Sequence, residues 1–370
     1  MKKITQQEFD AKCFGFREIH DCDLSDITIP PEIMTGPVSF EDTDVILSWT
    51  DSVIFPKDII EKINPQQLLE DSKQPTEMKR VHSLGKTGKN IGIAIIDQRL
   101  NREHPEYADR IKHYEAVGIW PENDTTTPDY HGSLVVGCAA GKTTGTAPEA
   151  DIFYFAANNW VIKNPFLKAI EILKRKKIHH RKNFNMAIRR VLEINKKLPE
   201  NKKIRFLSCS WGGADDPFAK ESNELFAECE KNGIMVLGGF YKHTLSSICQ
   251  YDKRFGVDET KPWLKNKIGI PTDGKTTPYF KGGYYYTRLG GASSTYPYLA
   301  GIFACALQDN TIFCTRPNWQ DELIEIMQQT ATEHPLGGKM INPSGIESRV
   351  SEITRTMEMN LIKNKTNQYN

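Results

Sequence analysis

Apolar residues in this chain are concentrated in short runs that are separated by polar or Gly- and Pro-containing turns. The clearest run covers residues 91–96, follows a polar turn at residues 86–90 and ends at Asp97. A continuous apolar run of this kind is typical of a strand that is covered on both faces of a parallel sheet. Similar runs predict further strands at residues 151–156, 204–213 and 233–239.

Helical patterns lie between and after these runs. Residues 299–307 are apolar on every side, which predicts a buried helix rather than a surface helix. Residues 183–198, 217–231 and 319–330 carry apolar side chains at helical spacing beside polar ones, so we predict three more helices there.

The two ends of the chain give weaker signals. Residues 1–80 are punctuated by prolines, with one predicted helix at residues 55–69, and we interpret them as an N-terminal extension. Residues 351–370 are polar and are predicted to form a C-terminal tail. The main domain is therefore expected at residues 81–350.

The composition agrees with a folded domain and gives no general attraction to polyanions or membranes. The 370 residues are 39% hydrophobic and 26% charged, with a net charge of +1. The first fifteen residues lack the apolar core of a secretory signal, and no run is long enough to span a membrane. We therefore expect neither a nucleic-acid nor a membrane partner.

The eight cysteines favour a reducing compartment. None forms a Cys-x-x-Cys pair, and several lie inside apolar runs, where they are typical of reduced core cysteines. This pattern predicts a cytoplasmic location.

One stretch of the chain is strongly basic. Residues 163–203 contain fourteen Lys or Arg residues against three Glu. A solvent-exposed basic helix face explains this composition. The alternative is a docking surface, centred on residues 163–182, for an acidic substrate or partner.

The segment 290–301 carries the most informative candidate chemistry. Gly290 and Gly291 permit a sharp turn, after which Ser293 lies about where a helix begins. Free N–H groups and the positive end of the helix dipole at that point favour a developing negative charge. A serine that caps a core helix would give the same pattern, so the segment alone leaves both interpretations open.

This segment resembles the nucleophile motif of the subtilases, the subtilisin-like serine proteases. Their pattern is Gly-Thr-Ser-Met-Ala-x-Pro-His-Val-Ala-Gly, and Gly291, Ser293, Pro297, Ala300 and Gly301 match it in register. The resemblance implies that Ser293, not Ser294, is the nucleophile.

Two further segments resemble the other subtilase motifs. Residues 88–97 followed by residues 104–106 resemble the pattern that ends in the catalytic aspartate, which implies that role for Asp97. Residues 131–141 resemble His-Gly-Thr-His-Val-Ala-Gly-x-x-Ala-Gly, which implies that His131 is the catalytic base. Gln98-Arg99 departs from the family, which has Thr or Ser followed by Gly.

The resemblance covers about residues 85–345 and implies an α/β fold. We expect a subtilisin-like parallel β-sheet with helices on both faces, plus the N-terminal extension. It also offers a second interpretation of residues 1–80, as a propeptide-like segment that occludes the site. Calcium binding is compatible with the family, but no cofactor is required and no metal site can be identified from the sequence.

Substrate-binding and oxyanion positions follow from the same resemblance. Ser210, Trp211, Gly212 and Gly213 match the family's Ser-Leu-Gly-Gly edge, which pairs with the substrate as an added strand.

The oxyanion position is the most serious departure from the family. The family's Ala-Ala-Gly-Asn is replaced by residues 239–243, so the asparagine that donates to the oxyanion is missing. Lys242 is the positional replacement and His243 the next candidate.

These features favour a serine endopeptidase that acts on a peptide or protein substrate. The lost asparagine, the Gln98-Arg99 pair and Ala292 instead favour a pseudoprotease that grips a peptide without cutting it. A basic scaffold that uses residues 163–203 is a third possibility and needs no active site.

Overall fold

The computed structural model describes residues 1–11, 17–36, 45–118, 128, 130–157, 178–210, 219–238, 248–250, 268–288, 290–334 and 338–368. The helices are α1 Gln6–Ala11, α2 Glu32–Thr35, α3 Lys57–Lys62, α4 Pro65–Asp71, α5 Lys79–Ser83, α6 Tyr130–Ala140, α7 Ile178–Lys197, α8 Ala219–Lys231, α9 Ala292–Leu307, α10 Trp319–Thr330 and α11 Pro343–Gln368. Short 3-10 helices cover Thr76–Met78, Ala108–Arg110, Glu200–Lys202 and Thr311–Thr315.

The strands of the described residues form four sheets. They are β1 Lys2–Lys3, β2 Arg17–Ile19, β3 Cys22–Asp23, β4 Ile46–Thr50, β5 Gly92–Asp97, β6 Ile111–Ala116, β7 Asp151–Ala156, β8 Ile204–Cys209, β9 Met235–Gly238, β10 Ile248–Gln250, β11 Ile268–Ile270, β12 Lys275–Pro278, β13 Tyr284–Thr287, β14 Thr332–Glu333 and β15 Lys339–Met340. The largest sheet has five strands in the order β6-β7-β5-β8-β9, and all of its pairings are parallel.

Strand β5 lies at the centre of this sheet and is buried along its whole length. Successive side chains of a strand point to opposite faces. Ile93 and Ile95 accordingly join one core cluster, and Ala94 and Ile96 join the other. This confirms the prediction of a strand that is covered on both sides.

Helices cover both faces of the parallel sheet. Helices α6, α9, α10 and α11 contribute to the cluster around Ile93, whereas α7 and α8 contribute to the cluster around Ala94. The expected α/β fold with helices on both faces is confirmed.

The N-terminal segment is built into a second sheet. This sheet has the order β12-β13-β4-β2, so β4 from the N-terminal segment lies between β13 and β2. A third core cluster joins N-terminal side chains such as Trp49 to Tyr286 of β13.

The single helix predicted at residues 55–69 is wrong. The structure has α3 and α4 instead, because Asn64 between them takes a left-handed conformation with φ 47° and Pro65 begins the second helix. The Asn64 side chain caps α4 by accepting a hydrogen bond from the N–H of Gln67.

The C-terminal tail predicted at residues 351–370 is also different in the structure. Helix α11 continues from the main domain through residue 368. Ile346 and Val350 anchor its first turns in the core, and no Gly or Pro follows to end the helix.

In the part of the chain that the structure describes, six cysteines are thiols rather than disulfides, namely Cys22, Cys138, Cys209, Cys229, Cys305 and Cys314. Five of them are buried, as expected for core cysteines. Among the described helices, none has the length and apolar character needed to cross a membrane.

Candidate active site

Asp97 is the last residue of β5, at the carboxyl end of the parallel sheet. It is 2% exposed, and its Oδ1 accepts hydrogen bonds from the N–H of Gln98 and from Nδ1 of His131, both at 2.7 Å. Because a carboxylate can only accept, Nδ1 of His131 carries the proton. Nε2 is then the basic nitrogen of the ring.

His131 is the second residue of helix α6, and its side chain is 12% exposed. Gly132 explains how the start of this helix reaches the end of β5. A Cβ atom on Gly132 would lie 2.6 Å from the hydroxyl of Tyr154 and 2.8 Å from the carbonyl oxygen of Arg99. The absence of a side chain at this position lets the helix approach the loop after Asp97 closely.

The Gln98-Arg99 pair does not disturb the turn that follows Asp97. Arg99 has no positive φ, so its position does not need glycine. Arg99 is buried, and the Tyr154 hydroxyl donates to the Gln98 carbonyl oxygen. The departure from the family pattern at these residues is therefore accommodated by the fold.

Ser293 is the second residue of helix α9, whose N-cap is Gly291. The prediction that a buried helix begins near Ser293 is confirmed. Gly290 allows the chain to enter this helix, because a Cβ atom there would lie 2.5 Å from the carbonyl oxygen of Thr272.

Ser210 and Ser293 are joined by two hydrogen bonds. The hydroxyl of Ser210, which directly follows β8, donates to the Ser293 carbonyl oxygen at 2.6 Å. The Ser293 hydroxyl donates to the Ser210 carbonyl oxygen at 3.5 Å, a long and weak bond. These contacts hold the end of β8 beside Ser293.

Helices α6 and α9, which carry His131 and Ser293, pack in close backbone contact. A Cβ atom on Gly301 would lie 1.9 Å from Oγ1 of Thr146 and 2.5 Å from the carbonyl oxygen of Ala139. Oγ1 of Thr146 also donates to the Tyr298 carbonyl oxygen at 2.8 Å. The glycine in the motif therefore sets the separation of the two helices.

His131 and Ser293 line the same cavity, whose volume is about 660 Å³. Gln98, Gly290 and Gly291 also line the cavity. Asp97 is connected to it through the hydrogen bond with His131. The remaining lining residues are Tyr130, Leu134, Ser294, the aromatic side chains Tyr279, Phe280 and Tyr285, Thr287, and the N-terminal residues Glu18, His20 and Ser48. A cavity of this volume is within the range of ligand-binding pockets.

The sequence did not indicate which N-terminal residues line the cavity. Glu18, His20 and Ser48 lie in a segment with weak patterning, and they reach the cavity only because β2 and β4 join the sheet of β13. No local sequence signal marks such a long-range pairing.

Glu106 is a further buried carboxylate that the sequence did not single out for a role. It is 2% exposed and accepts hydrogen bonds from Thr143 Oγ1 at 2.6 Å and from the Tyr284 hydroxyl at 2.7 Å. Burial pushes its pKa up, but the hydrogen bonds from Thr143, Tyr284 and Thr144 outweigh burial and hold the pKa below its ordinary value. Glu106 thereby ties the loop after α6 to β13.

The remaining predicted site residues lie outside the described residues. These are Trp211, Gly212 and Gly213 of the substrate edge and Lys242 and His243 of the oxyanion site. They stay predictions, as does the role of residues 163–177 in the basic stretch.

Within the described parts of the chain, no group of three or more His, Cys, Asp or Glu side chains is arranged to hold a metal ion. Binding of calcium therefore stays an expectation from the resemblance.

The sequence matches the profile of the Subtilase family over residues 88–345, which is more than half of the chain. It is also similar to the subtilisin-like protease PopC of Myxococcus xanthus (strain DK1622), with 32% identity over 80 residues. That match spans 20% of this chain and 17% of PopC.

Two solved structures have a similar fold. The prenylagaramide maturation protease PagA superposes with a TM-score of 0.51 at 14% identity, covering 75% of this chain and 99% of PagA. A chain of the subtilase cytotoxin SubAB superposes with a TM-score of 0.52 at 12% identity, covering 78% of this chain and 97% of that chain. At these identities the likeness concerns the fold.

Proposed function

The chain belongs to the subtilase family, and from its peptidase-type function we propose that it is a serine endopeptidase with Asp97, His131 and Ser293 as its catalytic residues. One observation carries the proposal. The 2.7 Å hydrogen bond from His131 to Asp97 leaves Nε2 as a base in the wall of the cavity that Ser293 also lines. A hydroxyl needs such a base, and the base needs an orienting group.

In the proposed reaction, Ser293 Oγ attacks the scissile carbonyl carbon while His131 Nε2 takes the hydroxyl proton. The hydroxyl must first leave the Ser210 carbonyl oxygen, which costs little because that bond is 3.5 Å long. His131 then gives the proton to the leaving amine, and an acyl-enzyme forms on Ser293. Water attacks this ester with His131 again acting as the base.

Asp97 holds the imidazole in the tautomer that this cycle requires. Its carboxylate also stabilises the imidazolium that forms when His131 takes the proton. Because Asp97 is 2% exposed, this attraction is screened less than it would be at the surface.

The negative charge on the carbonyl oxygen requires donors near Ser293. The backbone N–H of Ser293 lies in the first turn of α9, where the helix dipole favours such a charge. We assign the second donor to the side chain of Lys242 or His243, in place of the family's asparagine.

The acyl side of the substrate is proposed to pair with residues 210–213 as an added strand. The 2.6 Å hydrogen bond from Ser210 to the Ser293 carbonyl oxygen supports this assignment, because it fixes the start of that edge relative to the nucleophile. The basic residues 163–182 are proposed as a docking surface for an acidic substrate or partner. A cytoplasmic location is proposed from the free, mostly buried cysteines.

Labelling with a fluorophosphonate probe tests the proposal. The wild-type protein should be labelled on Ser293, and Ser293→Ala should lose the label. Ser294→Ala is the matched control, because Ser294 is the neighbouring serine and is only 3% exposed. Failure of the folded wild type to react would favour the peptide-binding pseudoprotease instead.

A further inference from the structure

The N-terminal segment is bound to the main domain as an internal part of a sheet. Strand β4 lies between β13 and β2, and Trp49 of β4 pairs in register with Tyr286 of β13. Trp49 is fully buried, with its ring centroid 4.4 Å from that of Tyr286. Removal of β4 would expose this aromatic pair to water. Release of the N-terminal segment after folding is therefore energetically unfavourable.

Arg288 supplies a second link of the same kind. Its side chain is 1% exposed, and Nη1 donates to the Ile33 carbonyl oxygen at 3.1 Å, while Nη2 donates to the Gly36 carbonyl oxygen. Both acceptors belong to the N-terminal segment. Without that segment the guanidinium would lose both of these acceptors.

This retained segment brings one carboxylate to the catalytic cavity. Glu18 of β2 pairs in register with Ser48 of β4, and its exposed side chain lines the cavity that contains His131 and Ser293. Among the described lining residues, Glu18 is the only carboxylate and none is a Lys or Arg. No ion pair to Glu18 occurs within the described parts of the chain.

Four aromatic rings form a continuous part of the same cavity wall. Ring centroids are 4.8 Å apart for Tyr279 and Phe280 and 6.1 Å apart for Tyr279 and Tyr285. His20 lies 5.6 Å from Tyr279 and donates or accepts a hydrogen bond with Ser48 at 3.1 Å. Aromatic faces beside a carboxylate attract a cation.

The structure itself has a cation against two of these rings. Nζ of Lys281 lies 5.6 Å from the ring centroids of Tyr279 and Phe280. Lys281 does not line the cavity, and its charge is balanced by Asp21 at 3.0 Å. Within the described parts of the chain, the negative charge of Glu18 therefore remains available to a ligand inside the cavity.

We propose that Glu18, Tyr279, Phe280 and Tyr285 form a subsite for a Lys or Arg side chain of a peptide substrate. This inference rests on the proposed peptidase function. The subsite receives a residue on the leaving-group side of the scissile bond. His131, which must protonate the leaving amine, lines this cavity, whereas Ser210, where the proposed acyl-side edge begins, is not among the described lining residues.

Two variants and one control separate this role from a general effect on folding. Glu18→Gln removes the charge and keeps the size, and Glu18→Lys reverses the charge. Glu61→Gln is the control, because Glu61 is an exposed glutamate of the same N-terminal segment in α3 and does not line the cavity. Thermal unfolding of each variant verifies that the proteins are folded.

The first measurement is calorimetric binding of agmatine, a small guanidinium compound, to the Ser293→Ala protein. Because Glu18 is exposed, its contribution is that of a surface ion pair, and we expect Glu18→Gln to weaken binding about 3- to 5-fold. Glu61→Gln should bind as the parent does. Equal agmatine affinity with and without the Glu18 charge overturns the subsite.

The second measurement is cleavage of a peptide library that is prepared from a proteome with chymotrypsin, which leaves Lys, Arg, Asp and Glu inside the peptides. Mass spectrometry of the new N-termini should show Lys and Arg enriched at one of the first three positions after the cut. Glu18→Gln should lose this enrichment, Glu18→Lys should replace it with Asp and Glu, and Glu61→Gln should retain it. If the wild type cleaves peptides without enrichment of Lys or Arg after the cut, the subsite is wrong and the peptidase proposal stands.

The two measurements also identify the case in which the peptidase proposal fails and the cation site does not. If agmatine binding depends on Glu18 but the wild type makes no cuts, the peptidase proposal fails and the cation site stands.

Discussion

Gly301→Ala tests whether the contact between helices α6 and α9 positions the catalytic residues. The added methyl group would lie 1.9 Å from Thr146 Oγ1 and 2.5 Å from the Ala139 carbonyl oxygen, where ordinary contacts are about 3.4 Å or more. The Thr146 side chain can rotate, but the Ala139 backbone can move only with its helix. A displacement of about 1 Å between the two helices is therefore required.

Two opposing effects decide the change in stability. Alanine favours the helical conformation over glycine by about 1 kcal/mol. Overpacking of a close-packed core costs about 1–3 kcal/mol, and a clash with backbone belongs at the upper end of that range. We therefore expect Gly301→Ala to lower the free energy of unfolding by about 1–2 kcal/mol, measured by urea denaturation.

The effect on reactivity should be larger than the effect on stability. A misplacement of about 1 Å between reacting groups costs about 100-fold in rate, so fluorophosphonate labelling should slow by about that factor in the folded fraction. Thr146→Ala added to Gly301→Ala should not restore the stability, because the clash with the Ala139 carbonyl oxygen remains and the hydrogen bond from Thr146 to the Tyr298 carbonyl oxygen is lost. A Gly301→Ala protein that is as stable and as reactive as the wild type would refute this reasoning.

Three further predictions concern single side chains. Asp97→Asn should slow acylation by about 10,000-fold, because the amide can donate to the imidazole and favour the wrong tautomer. Single-turnover kinetics measure the acylation rate, and an unchanged rate would exclude the role assigned to Asp97. Glu106 has a lowered pKa in the folded protein, so its ionised form stabilises the fold above the unfolded pKa, and this stability is lost as the pH falls through the folded pKa. Glu106→Gln should therefore be less stable than the wild type at pH 7 and should show a weaker loss of stability on acidification, whereas parallel pH profiles would contradict this account. Either Lys242→Ala or His243→Ala should slow acylation about 10- to 1000-fold with little change in substrate affinity, and if neither does, the second oxyanion donor is another group.

The parallel-sheet domain could be predicted well because its signals are local. The apolar run before Asp97 is unbroken, and the helix that follows Gly290 and Gly291 is apolar on every side. Each pattern specifies its own element. The resemblance to the subtilase motifs, rather than the patterns themselves, then implies that Asp97, His131 and Ser293 act together. The hydrogen bond between His131 and Asp97 agrees with that relation.

The N-terminal segment could not be predicted because its structure depends on distant partners. Strand β4 pairs with β13, more than two hundred residues later in the chain, and nothing near Trp49 indicates this partner. Glu18 reaches the catalytic cavity only as a consequence of that pairing. The break at Asn64 is local, but its left-handed backbone interrupts a spacing of isoleucines that otherwise suits one helix.

The acyl-enzyme on Ser293 is the intermediate that separates catalysis from binding alone. The wild-type protein is mixed with an activated ester of a short peptide, quenched in acid within the first turnover and digested for mass spectrometry. The account predicts that the peptide containing Ser293 gains the mass of the acyl group, that water removes it on longer incubation, and that Ser293→Ala gains none. A folded wild-type protein that binds the ester but never carries an acyl group on Ser293 would contradict the assignment of a serine peptidase.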